Sequence, residues 1–343
     1  MTTGMTISRF DPVTDRDRLD ALYDLYTAAT VLDDPDGPQL ARDGRYRLPV
    51  RGMMQGGRTY PGIWAQGGDL TQECWLATDD TGQVVGGYLI ELPQHDYDTV
   101  LFAFPVVAPA ARRLGIGTAL LRHAAGRAPA GRNTLLAVAV TGSAGSSFAT
   151  ARGGRPASYD DIRRVLYLDD ARPVSAPDDD YTFVGWDGPT PDEYVAGVVD
   201  VLTAMADAPR PGSMPPEAWT AARIRAAEEH QARRGTSSFC VAAYVTASGE
   251  FAALSELSID PALPGWAFQG MTAVTRPHRG HRLGLRAKTT LMDRLRATRP
   301  DLRAVMTCNA ATNTHMIAIN EQLGFRPTLS MTTYEFTTGD LAA

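Results

Sequence analysis

Cysteine and long apolar runs are both scarce in this sequence. The three cysteines, Cys74, Cys240 and Cys308, are spread across 343 residues, which fits neither a disulfide framework nor the paired spacing of a zinc site. The longest weakly polar run, residues 100–111, contains two prolines and is shorter than the roughly 18 residues that a membrane helix needs. The cysteines are therefore interpreted as ordinary thiols, and neither a metal nor a membrane partner is expected.

A secretory signal and an excess of basic charge are also missing. Residues 1–12 contain no basic segment followed by an apolar stretch, which predicts a cytoplasmic protein. The net charge of −6 disfavours a general nucleic-acid binder, because such proteins usually present a basic face. No nucleic-acid partner is therefore expected.

The chain is long enough for two hydrophobic cores, and its two parts follow the same plan. Strand-like runs alternate with amphipathic helices in each part, which predicts a mixed α/β fold. Glu91 precedes Arg112 by about as many residues as Glu256 precedes Arg279, which indicates duplication of a whole domain. The prolines and consecutive aspartates of residues 172–181 predict a linker. It would separate an N-terminal domain, residues 1–171 (the N half), from a C-terminal domain, residues 182–343 (the C half).

The most informative motif of the N half joins a strand to a helix. The strand-like residues 100–107 lead into a glycine-containing turn, and a helix is predicted over residues 117–127. Glycines let the turn bend tightly and leave N–H groups free, while the helix N-terminus adds a partial charge of roughly +0.5. Such a turn can hold a diphosphate. The residues expected at this site are Val106, Val107, Arg112, Arg113, Leu114, Gly115, Ile116, Gly117 and Thr118.

Two other phosphate-binding motifs fit this segment poorly. A Rossmann fingerprint would open the domain and need a third glycine, and a P-loop would continue into Gly-Lys-Ser or Gly-Lys-Thr. The segment from Arg112 to Gly117 instead resembles the acetyl-CoA-binding motif of the GNAT superfamily, Arg/Gln-x-x-Gly-x-Gly/Ala. The resemblance implies two tandem GNAT acyl-CoA N-acyltransferase domains on a mixed α/β sheet, with acetyl-CoA or another acyl-CoA as cofactor.

A second copy of the motif lies in the C half and departs from the family pattern at one position. Arg279 and Gly284 are kept, whereas Arg282 stands where the first glycine is usual. Acyl-CoA binding at this copy is expected to be weaker but retained, provided that the φ angle of Arg282 stays negative. The side chain of Arg282 could also contact phosphate. The residues expected at this copy are Ala273, Val274, Arg279, Gly280, Arg282, Leu283, Gly284 and Leu285.

The sequence after this second copy resembles the closing strand and helix of a GNAT domain. The helix would begin near Asn313 and end in Leu-Gly-Phe at residues 323–325. In the family this helix flanks the pantetheine arm, which implies contacts from Asn309 and Asn313; a strand end and a helix cap are equally good interpretations of these residues. The N half keeps Phe148 but lacks the asparagines and the Leu-Gly-Phe ending.

Acyl transfer to an amine needs a base, because an amine with a pKa near 10.4 is mostly protonated at neutral pH. Glu91 and Glu256 lie in strands where family members often carry such a carboxylate, although a solvated strand face is the plainer interpretation of each. Asn320 stands where the family often has a tyrosine that protonates the departing thiolate, so another tyrosine, water or no acid would serve. A backbone N–H near Val107 or Val274 would hold the oxyanion.

The resemblance implies an enzyme that moves an acyl group from acetyl-CoA directly to an amine of a small molecule. The C half would catalyse while the N half holds acetyl-CoA as structural support, or the N half would catalyse beside a degenerate C half. A non-catalytic acyl-CoA sensor is the alternative of another class, because each half departs from the family motif. The composition and tandem layout are similar to GNAT pairs of actinobacterial secondary metabolism, including antibiotic biosynthesis, and a monomer or homodimer is expected.

Overall fold

The described part of the N half begins with a strand and a capped helix and continues as strands with two further helices among them. The computed structural model describes residues 4–37, 70–93, 97–171, 180–207, 218–233, 235–261 and 263–342. The first helix starts where the side chain of Asp15 accepts the backbone N–H of Arg18, as expected of an N-cap. The elements are β1 (Thr6–Phe10), α1 (Arg16–Asp33), β2 (Leu70–Thr78), β3 (Val84–Pro93), β4 (Val100–Val107), α2 (Ile116–Gly126), β5 (Thr134–Val140), α3 (Ala144–Ala151) and β6 (Arg155–Tyr167).

Within the described ranges, the C half repeats this order with two additional helices, one before its second strand and one after its last strand. Its first strand begins at Tyr181, so that residue of the predicted linker belongs to the sheet, and residues 172–179 of the linker lie outside the described ranges. The elements are β7 (Tyr181–Asp187), α4 (Val195–Thr203), α5 (Ala221–Arg233), β8 (Ser237–Val245), β9 (Phe251–Ile259), β10 (Trp266–Val274), α6 (Leu283–Thr298), β11 (Ala304–Ala310), α7 (Thr314–Leu323), β12 (Arg326–Thr337) and α8 (Thr338–Ala342).

The two halves exchange their last strands within one twelve-stranded sheet. The strand order is β1-β2-β3-β4-β5-β12-β6-β11-β10-β9-β8-β7. Strand β12 of the C half pairs antiparallel with β5 of the N half, and β6 of the N half pairs antiparallel with β11 of the C half. The exchanged strands also pair with each other at the centre. Each half therefore supplies a strand that the sheet of the other half needs.

In each half, two parallel strands separate before they end. Strands β4 and β5 pair only from Val100↔Thr134 to Phe102↔Leu136, and β10 and β11 pair only from Trp266↔Ala304 to Phe268↔Met306. Residues 103–107 and 137–140 therefore border an opening, the N cleft. Residues 269–274 and 307–310 border the corresponding C cleft. Unlike β4, β10 carries an irregularity of register against its other neighbour, between Gln269 and Thr272.

Helices cover both faces of the sheet in the C half, and this assigns each residue of β9 to a face. Leu254 packs with Val198 of α4 in one buried cluster, whereas Leu257 packs with Leu291 of α6 and Leu323 of α7 in another. Because side chains alternate along a strand, even-numbered residues near Leu254 lie on the α4 face and odd-numbered ones on the α6 face.

No helix in the described ranges combines the length and apolar character that crossing a membrane requires.

Candidate active site

The turn between β4 and α2 presents a run of unbonded backbone N–H groups. Arg113 and Gly115 have φ angles of 69° and 84°, and Gly115 is the N-cap of α2, which has no side-chain cap. Within the described ranges, the N–H groups of residues 113–118 donate no hydrogen bond. Successive free N–H groups at a helix N-terminus suit an anion. The turn therefore fits the diphosphate of an acyl-CoA.

The side chains predicted at this turn divide into an exposed set and a packed set. Gly117 lets the first turn of α2 pack closely, because a Cβ at this position would lie 3.3 Å from Cε2 of Phe148. The backbone, more than the side chains, is therefore what the turn offers to a ligand. Arg113, Leu114 and Gly115 are exposed, Val107, Arg112, Gly117 and Thr118 are half-buried, and Val106 and Ile116 are buried.

The equivalent turn of the C half also has left-handed backbone at the same two positions. The first of these residues is glycine and the second is arginine, which is the reverse of the N half. Gly280 has a φ of 92° and Arg282, the N-cap of α6, has a φ of 56°. The condition set for retained binding, a negative φ at Arg282, is therefore not met, because the chain enters α6 through a left-handed residue, as Gly115 provides for α2. A left-handed non-glycine residue costs roughly 1–2 kcal/mol.

This second turn is also free to bind an anion. Within the described ranges, the N–H groups of residues 280–285 donate no hydrogen bond. The Nε of Arg279 donates to the Val274 carbonyl oxygen at 3.2 Å, and Nη2 of Arg282 donates to Oε1 of Gln322 at 3.3 Å. Of the other predicted residues, Gly280 is exposed, Val274 is half-buried, and Ala273, Leu283, Gly284 and Leu285 are buried.

Glu256 lies on the α4 face beside the irregular part of β10. Its Oε1 accepts the backbone N–H of Met271 at 3.4 Å, and a Cβ at Gly270 would lie 2.7 Å from that oxygen. A side chain at position 270 would displace the carboxylate from this position. Burial raises the pKa of Glu256 to about 7, and the Met271 N–H lowers it in part. Near neutral pH this group can both accept and release a proton.

Glu91 lies farther from the turn of its half, counted along the strand, than Glu256 lies from the turn of the C half. It is fully buried, its Oε1 accepts Nε2 of Gln72 at 2.8 Å, and its register partner Phe102 is the last residue of β4 still paired with β5. Its similar spacing in the sequence therefore does not make it the structural equivalent of Glu256.

Leu89 is the residue that corresponds to Glu256. Gly86 pairs with Val107 and Ala253 pairs with Val274, the last residues of β4 and β10. Three residues further along β3 and β9 come Leu89 and Glu256.

A buried lysine is hydrogen-bonded to one of a linked pair of asparagines in the C half, and the sequence interpretation missed it. Nζ of Lys288 donates to Oδ1 of Asn320 at 2.5 Å, and Nδ2 of Asn320 donates to Oδ1 of Asn309 at 2.6 Å. Lys288 is 1% exposed, and burial lowers its pKa to about 7. A sequence signal existed, because Lys288 lies between Leu285 and Leu291 on the apolar stripe of α6. Asn313, in contrast, caps α7 by accepting the Met316 N–H.

Glu256 and this lysine–asparagine group lie at one level of the C cleft on opposite faces. Phe268 and Met306 are the last residues that β10 and β11 pair with each other. Met271, whose N–H donates to Glu256, and Asn309 each lie three residues beyond this pair. Asn309 is bonded to α7, on the α6 face. A molecule inside the cleft would therefore meet a carboxylate from one side and amide groups from the other.

The same positions of the N half carry no comparable groups. Counting four residues from Gly117 and Gly284, each the second residue of its helix, gives Leu121 for Lys288. Counting seven residues from the caps Ser143 and Asn313 gives Thr150 for Asn320. Ala139 and Asn309 each lie three residues beyond the last paired residue of their strand, so Ala139 corresponds to Asn309. The two halves thus share the turn but not the ionisable groups of the cleft.

The comparisons with known proteins agree with this geometry. Residues 71–150, which contain β4 and the first turn, match the family model of the acetyltransferase (GNAT) domain. The match to a GNAT acetyltransferase domain therefore covers residues 71–150 of the N half. The GNAT fold supports acyl-CoA-dependent acetyl transfer in general, and GNAT enzymes act on small-molecule acceptors. No curated protein sequence matches the chain.

Solved structures extend the GNAT likeness to nearly the whole chain. A tandem GNAT protein from the clavulanic acid biosynthesis pathway is 26% identical, with a TM-score of 0.77 over 98% of this chain and 99% of that chain. A GCN5-related N-acetyltransferase from Sphaerobacter thermophilus is 17% identical, with a TM-score of 0.63 over 97% and 96%. A glucosamine N-acetyltransferase region of a fungal multi-domain β-N-acetylglucosaminidase is 13% identical, with a TM-score of 0.60 over 97% and 38%. The predicted α/β fold with tandem GNAT organisation is confirmed.

Proposed function

We propose that this protein transfers an acetyl group from acetyl-CoA to an amine of a small molecule, and that the C cleft performs the reaction. The observation that carries the proposal is the carboxylate of Glu256, which has a pKa of about 7 and lies where β10 and β11 have separated. A base with such a pKa is suited to removing a proton from an ammonium or amine near neutral pH.

The C half supplies a place for the diphosphate and for the pantetheine chain of an acyl-CoA. The free N–H groups of residues 280–285 would hold the diphosphate, and Arg279 and Arg282 add positive charge. The facing edges of β10 and β11 within the cleft are not paired with each other, so an extended chain with amide groups can hydrogen-bond to them. Acetyl-CoA, when bound, supplies the reactive thioester.

Glu256 would act from the α4 face of the cleft. It receives the proton that the amine loses on attack, and the Met271 N–H orients its carboxylate. Gly270 keeps the approach to this carboxylate open, because a side chain there would overlap its Oε1. The acceptor amine therefore enters from the face that α4 and α5 border.

The N half would bind acyl-CoA without turning it over. Its turn has the same free N–H groups, but Leu89 replaces the carboxylate at the level of the cleft where a base is needed. Catalysis by the N half would have to use another group. A role of the bound molecule as structural support follows, since a ligand that binds only the folded state stabilises it.

We further propose a place in secondary metabolism, such as antibiotic biosynthesis. The support for it is the likeness to the tandem GNAT protein of the clavulanic acid pathway, which spans nearly the full length of both chains. The division into domains of residues 1–171 and 182–343, joined by a linker at 172–181, belongs to the same proposal.

A matched pair of turn variants tests which half works. Gly115→Glu and Arg282→Glu each place a carboxylate at the N-cap of the helix that follows the turn, at the equivalent left-handed position. Each is expected to remove acyl-CoA from its own half, because a negative charge opposes a diphosphate there. Native mass spectrometry would count bound acyl-CoA per chain, and release of free thiol with a panel of amines would measure transfer.

The two variants should differ in turnover. Gly115→Glu should lose one bound acyl-CoA and keep transfer, whereas Arg282→Glu should lose transfer. The reverse result would assign catalysis to the N half. A wild-type protein that binds acyl-CoA but transfers to no amine would instead favour the non-catalytic sensor.

A further inference from the structure

A bulge in β10 lies next to the proposed base. The strand pairs on either side of it, Gln269↔Leu257 and Thr272↔Ser255, leave two residues of β10 opposite one residue of β9, which is Glu256. A bulge of this kind bends its strand and increases the local twist. Because it falls in the part of β10 that borders the C cleft, it sets the direction of that wall beside Glu256.

The side-chain directions agree with one extra residue in β10. Gln269 and Thr272 are three residues apart, and such residues lie on opposite faces of a regular strand. Both nevertheless reach Oγ of Ser255, Nε2 of Gln269 at 3.1 Å and Oγ1 of Thr272 at 3.0 Å. Because Ser255 is an odd-numbered residue of β9, these contacts lie on the α6 face, whereas the carboxylate of Glu256 lies on the α4 face.

The side chain of Gln269 ties the bulge to β9. Its Nε2 also donates to the main-chain oxygen of Glu256 at 2.6 Å. Since a carbonyl oxygen only accepts, the atom facing it must be the amide nitrogen. The other end of the amide, Oε1, is buried and accepts no hydrogen bond in the part of the chain that the structure describes. An orphaned acceptor costs stability, so packing alone does not favour a glutamine at this position.

The N half has neither this glutamine nor, within the described ranges, a bulge at this place. Strand β4 pairs with β3 without a register shift, and the wall that it gives to the N cleft, residues 103–107, is one residue shorter than residues 269–274 of β10. Ala103, the first residue after the last strand pair, corresponds to Gln269. The bulge therefore belongs to the half with the proposed base and not to the half with Leu89 in its place.

The bulge brings a backbone donor to the carboxylate. In a regular antiparallel ladder an N–H donates to a main-chain oxygen of a neighbouring strand. Met271, inside the bulge and on the α4 face, instead donates its N–H to Oε1 of Glu256 at 3.4 Å. Whatever holds the shape of the bulge therefore also holds the donor that orients the base.

We propose that Gln269 is a positioning residue, whose amide keeps the β10 bulge in the shape that directs the Met271 N–H at Glu256. Its part in transfer rests on the proposed function. Gln269 acts from the α6 face through the main chain of Glu256 and takes no part in the bond changes.

Gln269→Met tests this role because it keeps the length of the side chain and removes its donor. We expect kcat to fall about 100-fold, since a displacement of about 1 Å can cost that much. KM for acyl-CoA should stay unchanged, because the turn of residues 280–285 is untouched. The rate should also rise at a higher pH than in the wild type, since the Met271 N–H that lowers the pKa of Glu256 is lost. A folded variant with the wild-type kcat or pH profile would overturn the proposal.

A measurement without turnover separates this role from the proposed function. The carboxyl carbon of Glu256 can be followed by 13C NMR during a pH titration, with Glu256→Gln identifying its signal. Cys240, its register partner on β8, does not interfere, because burial raises the pKa of that thiol well above its usual value. Glu256 should titrate at a higher pH in Gln269→Met than in the wild type. Equal titrations would refute the positioning role even if kcat changed.

Failure of the proposed function would be seen differently. The wild type would then transfer to no amine, while the NMR titration would still show whether Gln269 positions the carboxylate.

Ser255→Ala is a milder change, should Gln269→Met fail to fold. It removes the hydroxyl that Nε2 of Gln269 contacts and should move the titration of Glu256 in the same direction. A titration that does not move would speak against the proposal.

Gln72→Met is the matched control in the N half. Nε2 of Gln72 donates to Oε1 of the buried Glu91 at 2.8 Å, so this change removes another glutamine donor from beside a buried carboxylate. It should leave kcat and the titration of Glu256 as in the wild type. A comparable loss of kcat would contradict the assignment to Gln269, because removal of any such donor would then be enough.

Discussion

Leu89 and Glu256 occupy equivalent positions in the two halves. Each lies three residues along its strand from the residue that pairs with the last strand residue before the turn. One half has an apolar side chain there and the other has a carboxylate with a pKa of about 7. The turns, in contrast, keep the same left-handed positions in both halves. The turn proposed to bind acyl-CoA is therefore kept in both halves, while the proposed base is present in one.

Glu256→Gln should remove the proton acceptor while keeping the size of the side chain. We expect kcat/KM to fall by about 10²–10⁴-fold, the usual effect of a general base. The wild-type rate should rise with pH through about 7, because Glu256 must be unprotonated to act, and the variant should lose this step. Glu229→Gln, the same change on the exposed surface of α5, is the control. An unchanged pH profile in Glu256→Gln would exclude the assigned base.

Lys288→Met should change how stability depends on pH. Burial lowers the pKa of Lys288 from 10.5 to about 7, so the unfolded chain binds more protons between these values. The free energy of unfolding of the wild type should therefore rise with pH from about 7 to about 10.5. The variant should lack this rise and be more stable below pH 7 by a few kcal/mol, since each pKa unit is worth about 1.4 kcal/mol.

Urea unfolding at a series of pH values measures this difference. Parallel stability curves for the wild type and Lys288→Met would show that the lysine is not desolvated in the folded protein.

Gly117→Ala and Gly284→Ala should have unequal effects on stability. Alanine favours a helix over glycine by about 1 kcal/mol, and a Cβ at Gly284 meets only ordinary contacts, 3.5 Å from methyl carbons of Thr272 and Val274. Gly284→Ala should therefore stabilise the protein. A Cβ at Gly117 would crowd Phe148 at 3.3 Å, which offsets the gain. Equal shifts in denaturation midpoint would contradict this reasoning.

Cutting the chain in the predicted linker should not separate the halves. A protease site inserted between residues 171 and 180 would give two fragments, each with its last strand in the sheet of the other, through the pairs β5–β12 and β6–β11. The fragments should elute together in size-exclusion chromatography and part only on denaturation. Independent elution of two folded fragments would contradict the strand exchange.

The sequence allowed the binding turns to be predicted because their signals are local. A glycine at the start of a helix and the apolar periodicity around it gave α2 within one residue, and Asn313 serves as the cap that its residue type permits. The left-handed backbone of Arg282 was not foreseen, because the fold and not the residue sets the φ angle at that position.

Features that depend on distant residues escaped the sequence interpretation. The residues of β6 and β12 are the same whichever strand lies beside them, so the exchange left no local signal. The pairing of Lys288 with Asn320 requires α6 and α7 to be adjacent. Spacing alone also equated Glu91 with Glu256, and only the strand register showed that they lie at different levels.

The exchanged strands explain why a half without catalytic groups would be retained. If the N half were lost, the edge of β11 that pairs with β6 would be left open. Mutations can therefore change the side chains of one half, but deleting that half would remove a strand with which the other half pairs. Such a protein can specialise a redundant site for a new ligand, yet it cannot return to being a single domain.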